Sequence, residues 1–110
     1  MKKIILGALC ALPLFVYAAG TANIYDITFV RIDKSGMGYV EFASSLVGTP
    51  PTCVQGYTHA LSFNTNESGG QSVLALVLAA KASGRKVYAV GTGNCEIYGV
   101  MERWEWGYIQ

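Results

Sequence analysis

Hydrophobic positions fall into three patterns along the chain, and each predicts a different kind of element. The first is a continuous apolar run from Ile4 to Val16, placed behind Lys2 and Lys3. Val16-Tyr17-Ala18 then offers small residues at the two positions that a signal peptidase reads, so residues 1–18 read as a secretory signal peptide cut after Ala18. A membrane anchor needs about 20 apolar residues; this run is shorter and contains Pro13. Lipid attachment at Cys10 is disfavoured by the short stretch before it and by the bulk of Leu9. Residues 19–110 remain, a length suited to a single domain.

The second pattern is alternation. From Asn23 to Asp33, Ile24, Val30 and Ile32 share one parity while Tyr25, Ile27 and Phe29 share the other, which predicts one strand partly buried on both faces. Lys34 to Gly38 supplies a turn through its two glycines. Tyr39 to Ser44 then sets Val40 and Phe42 against Tyr39 and Glu41, which completes a hairpin. Pro50-Pro51 interrupts pairing, because proline cannot donate to a ladder. Further strands are expected over Tyr57–Asn64, with His59, Leu61 and Phe63 on one face, and over Arg85–Val90. The last, Ile97–Ile109, places Trp104, Trp106 and Tyr108 in one row, with Gly99 and Gly107 suited to bulges.

The third pattern is helical. Ser68-Gly69-Gly70-Gln71 reads as a capping box, with Ser68 satisfying an orphan amide and Gln71 reaching back. A helix of about 14 residues follows, from 70 to 83, closed by Gly84 in a left-handed cap, with Lys81, Arg85 and Lys86 at its negative end. Projected around the axis, Leu76, Ala80, Val73, Val77, Lys81, Leu74 and Leu78 cover about 200°. Gln71, Ser72, Ala75, Ala79, Ala82 and Ser83 fill the rest. Either the alanines face solvent or they form a subunit interface; exposed alanine is common, which favours the first.

Strand, strand, strand, helix, strand, strand is the order of a mainly β protein with one helix. Specifically, it is that of an OB-fold-like five-stranded barrel whose helix lies between the third and fourth strands. In such barrels ligands sit beside the loops after the first and fourth strands, here Lys34–Gly38 and Gly91–Asn94.

Charge and cysteines narrow the chemistry. Loss of Lys2 and Lys3 with the signal peptide turns a formal net charge of +1 into −1, without the basic excess that nucleic-acid binding requires. Cys10 leaves as well. Cys53 and Cys95 remain, an even number in an exported chain, and are expected to form a disulfide. The bond would close a loop of about 40 residues, a constraint worth roughly 4 kcal/mol. With both thiols paired and His59 the one histidine, neither a metal site nor a cofactor site is expected. No catalytic residue is assigned. Nothing beside His59 completes a nucleophile–base pair, and strand parity sends Glu102 and Glu105 to opposite faces. Gly91-Thr92-Gly93 lacks the following helix that a phosphate cradle needs. Asn66-Glu67-Ser68 matches a glycosylation sequon, but the export signal has bacterial character.

The stretch from Gly70 to Val87, followed by Gly91-Thr92-Gly93-Asn94-Cys95, resembles a group of small exported bacterial proteins of unknown function. More distantly, the layout is similar to binding subunits of AB-type toxins such as subtilase cytotoxin, which are OB-fold subunits that assemble in rings of five and bind cell-surface glycans. That resemblance implies a glycan or protein partner and a homo-oligomer, although no residue motif carries a sugar site across and a shared fold does not fix function. Trp104, Trp106 and Tyr108 are the residues expected to bind a ligand, set against the reading that they form core under the helix. The functional expectation is an exported binding or assembly module, periplasmic or secreted, with no catalytic activity and no membrane span after cleavage. The alternative is a monomeric structural protein of the periplasm or envelope.

Overall fold

A computed structural model describes residues 19–110; the expected signal peptide lies outside the described residues. The chain is mainly β, with seven strands in two sheets and one helix. β1 (Gly20–Tyr25), β4 (Val47–Gly48), β6 (Val87–Gly91) and β7 (Trp104–Ile109) form the first sheet in the order β4-β1-β6-β7. β2 (Ile27–Ile32), β3 (Met37–Phe42) and β5 (Ala60–Asn64) form the second in the order β2-β3-β5. Every ladder is antiparallel, and a parallel bridge between Ser62 and Arg103 links the two sheets.

The helix α1 (Ser68–Ser83) lies between β5 and β6 and packs on β2, β5 and β7. Gly84 ends it in the left-handed region at φ 68°, its N–H donating to Lys81 O while that of Arg85 donates to Ala80 O. This is the cap the glycine predicts, since a Cβ disfavours that backbone conformation. The start differs from expectation. Glu67 is the N-cap residue and makes no side-chain cap bond, Ser68 is already helical, and Gln71 Nε2 donates to Thr65 O, whereas the capping box would have its side-chain oxygen accept from the cap N–H. The helix buries Gly70, Val77 and Ala80, with Val73, Leu74 and Leu76 half-buried. This stripe is narrower than the apolar arc of the sequence. Leu78 is 49% exposed, and Ala75, Ala79 and Ala82 face solvent.

Core residues come from both sheets: Ala22, Val87, Ala89 and Trp104 from one, Ile27, Val40, Phe42, Leu61 and Phe63 from the other. Three bulges decide which residues join them. Asn23 opposes Tyr88 and Tyr25 opposes Val87, so Ile24 is an extra residue in β1. Thr28 is extra in β2 and Glu105 in β7 by the same reading. An extra residue reverses the inward–outward alternation beyond it.

The single strand expected over Asn23–Asp33 is therefore two strands in different sheets, joined at Asp26. Ile24 takes φ 63°, unusual for a β-branched residue, and is exposed instead of sharing a face with Val30. The last strand is also shorter than expected: residues 97–103 turn across the fold, and pairing begins only near Trp104.

Candidate functional site

Cys53 and Cys95 are disulfide-bonded, across a sequence separation of 42. The bond ties the proline-containing loop to the turn after Cys95, where Gly99 N–H donates to Cys95 O and Gln55 N–H donates to Val100 O. This turn lies over the outer face of the three-stranded sheet. There Tyr39 meets Phe29, Tyr57 and Tyr98 edge-on, at ring centroid distances of 5.8, 5.9 and 5.9 Å. Tyr39 is consequently only 6% exposed, although it points away from the main core, and Arg31 stands over its ring. The Tyr98 hydroxyl donates to Asp33 Oδ2. Burial first, and that bond second, push the phenol's pKa well above its ordinary value. Asp33 is held below the ordinary carboxyl range by the Tyr98 bond and then by Arg31.

Among the described residues, the outer face of the four-stranded sheet has no such cover. The bulge at Glu105 splits the row expected on β7: Trp104 opposes Gly91 and turns into the core, 7% exposed, while Trp106 and Tyr108 point outward, 50% and 44% exposed. Tyr88, directly across from Tyr108, joins them. Tyr88 lies 5.3 Å from Tyr108 and 5.6 Å from Trp106 between ring centroids, and Trp106 lies 6.5 Å from Tyr108. A recess of about 350 Å³ opens beside Trp106, lined by Ala19, Val90, Gly91, Thr92 and Glu105. The expected row Trp104, Trp106 and Tyr108 is therefore not on one face: Trp104 is core, and Trp106 and Tyr108 share the outer face with Tyr88. Cross-strand register, which brings in Tyr88, has no signal in one strand's sequence.

Glu102 is the functional-looking residue that sequence parity misses. It lies before β7 and is fully buried. Both carboxylate oxygens accept from Gly20 N–H, at 3.0 and 3.1 Å, and Oε2 also accepts from Gly93 N–H at 2.8 Å. Burial raises its pKa above the ordinary value, and the two backbone donors oppose that rise. Gly91 is required here: a Cβ at that position would overlap the carboxylate. Glu102 and Glu105 do part company, but one is interior and the other exposed outside a regular alternation.

Apart from Gly91 and Thr92, which also line the recess beside Trp106, the remaining candidates are structural in their contacts. His59 precedes β5 in a turn, and its Nδ1 donates to Phe42 O at 3.2 Å while Phe42 N–H donates to His59 O. The loop Gly91–Asn94 continues the pairing with the chain before β7, through Thr92 N–H to Arg103 O and Arg103 N–H to Asn94 O. The loop Lys34–Gly38 closes as a tight turn, Gly36 N–H donating to Asp33 O. A smaller recess of about 200 Å³ at the start of α1 is lined by Arg103 and Glu67, which pair with each other, and Arg103 also lies 3.8 Å from Glu96. Among the described residues no group of three or more His, Cys, Asp or Glu side chains is arranged to hold a metal ion, and no helix is long and apolar enough to cross a membrane. Compared with protein-family models, with curated proteins and with solved structures, the chain has no match.

Proposed function

We propose that this protein is an exported, non-catalytic binding module whose ligand is a carbohydrate, and that the outer face of the four-stranded sheet is where it binds. The observation that carries this reading is the aromatic cluster of exposed Trp106 and Tyr108 with half-buried Tyr88, beside a recess lined by Glu105 and Thr92. Aromatic faces pack on the apolar C–H faces of a sugar ring, and nearby acceptors and hydroxyls meet its own hydroxyls. An even disulfide-bonded cysteine pair supports export, because such bonds persist in oxidising compartments.

The scaffold for this face is an OB-like barrel. The pairings β1–β6, β6–β7, β2–β3 and β3–β5 support it, together with the parallel Ser62–Arg103 bridge and the continuity of β1 with β2 through Asp26. In this reading the two sheets, which are not closed into a barrel by strand pairing, stand in the OB order, with the helix entering between β5 and β6.

The test is a glycan array probed with the protein starting at Ala19, followed by titration of any hit against Trp106→Ala and Tyr108→Ala. Binding that drops at least tenfold in both variants, with folding unchanged, is the expected result. Silence across the array from a strictly monomeric protein, as judged by light scattering, would replace this reading with a structural role in the envelope.

A further inference from the structure

Glu102 is a buried carboxylate with no cation paired to it among the described residues. None of the ion pairs among the described residues includes it, and its partners are the backbone N–H groups of Gly20 and Gly93. A buried charge met only by dipoles is costly. Its neighbours do not supply a counter-charge: the end of β6 brings Gly91, Thr92 and Gly93, and the chain before β4 brings Leu46. Arg103, next in sequence, is engaged with Glu67 and Glu96. Glu105 is exposed and acidic.

Among the described residues, the nearest backbone nitrogen that processing can charge is that of Ala19. The peptide unit between Ala19 and Gly20 is held at both ends, with Ala19 O accepting from Thr49 N–H at 2.9 Å and Gly20 N–H directed at Glu102. Successive backbone nitrogens lie at most about 3.6 Å apart, so the nitrogen of Ala19 falls within about 6.5 Å of the carboxylate. Ala19 is half-buried at the edge of the recess, and at that range an ammonium group favours the ionised carboxylate through space, without direct contact. In the uncut chain this nitrogen is a neutral amide; after cleavage behind Ala18 it is an α-ammonium.

We propose that the Glu102 carboxylate is the built receptor for the α-ammonium of Ala19, so that removal of the signal peptide completes an internal ion pair and locks β1 onto β6 and the chain before β7. The proposal rests on the export reading above for the position of the cut. Folding before and after processing then differs by one charge pair, and the processed domain is the more stable of the two forms.

The test compares chains that begin at Ala19 with a free amine or with that amine acetylated. Acetylation is expected to lower the melting temperature by about 5 °C near neutral pH. The difference should fade as alkali deprotonates the amine. It should be absent in the Glu102→Gln background and retained in Glu105→Gln, which removes the other carboxylate near Ala19. Because Glu102→Gln could fail to fold, the amine is also titrated in the unsubstituted protein through its rate of acylation, read by mass spectrometry. Half-protonation at least one pH unit above the ordinary value of about 7.7–8.0 is expected. Equal melting temperatures, an ordinary titration, or loss of the difference in Glu105→Gln would each overturn the pairing. N-terminal sequencing of the exported protein is the separate check on export. An end other than Ala19 would overturn the maturation claim alone, leaving the pairing to the titration.

Discussion

Two aromatic faces of this small protein have similar composition and opposite fates. On the three-stranded sheet, Phe29, Tyr57 and, from the disulfide-held turn, Tyr98 meet Tyr39 edge-on and bury it, while Phe29 and Tyr57 keep an exposed side. On the four-stranded sheet, Tyr88, Trp106 and Tyr108 also touch one another, yet among the described residues no segment lies across Trp106 and Tyr108, which stay exposed. The difference lies in the connection that follows. The segment from Cys95 to Met101 crosses one face and turns its tyrosine into a second small core with Ala60 and Met101. The other face is flanked only by the short strand β4 and the edge of β7. Aromatic content alone therefore says little about binding; coverage distinguishes a face that holds the fold from a face available to a partner.

Removing the disulfide should break this contrast most strongly. Cys53→Ala with Cys95→Ala is expected to cost about 4 kcal/mol, close to the chain-entropy value for a loop of this length. Denaturant unfolding measures the loss. Hydrogen exchange should place the early opening in residues 95–101 and spare the β6–β7 ladder. If the ladder opens equally, the two faces are not independent.

Tyr39→Ala comes next. It empties the centre of the covered cluster and should cost about 3 kcal/mol, as for other large buried aromatic residues. By contrast, Trp106→Ala should cost only about 1 kcal/mol, the worth of one ring–ring contact on an open surface. Thermal melts of the two variants side by side would erase the distinction if their losses were similar.

The smallest effect concerns pH. Asp33 has its carboxyl held below the ordinary range, chiefly by the Tyr98 hydroxyl. A depressed folded value stabilises the protein above the unfolded value and loses that contribution as pH falls through the folded one. Tyr98→Phe removes the principal cause, so it should be less stable than the parent at neutral pH, with the gap narrowing in acid. Urea midpoints measured down to about pH 2 follow it. A gap that widened in acid would show that the hydroxyl acts on something other than this carboxylate.

Much of the fold is legible in particular residues. The hairpin around Gly36, the helix ended by Gly84 and the pairing of Cys53 with Cys95 all rest on local or compositional rules that need no distant partner. The site was legible only in part. Trp106 and Tyr108 stand out as an alternating aromatic pair, but the same alternation carries Trp104 to the wrong side, because a bulge at Glu105 resets parity. The capping box fails for a related reason. Gln71 finds the carbonyl of Thr65, which the turn after β5 presents, and so does not reach the cap amide.

What the sequence determined by itself is what short-range physics governs: the helix and its stop, the turn of the first hairpin, the alternating strands and the shared cysteine chemistry. Only the tertiary structure decided which side of each strand is interior. That choice depends on single extra residues at Ile24, Thr28 and Glu105, and an extra residue exists only relative to a partner strand far away in sequence. The same holds for Glu102, which looks like one more surface carboxylate until Gly20 and Gly93 close around it.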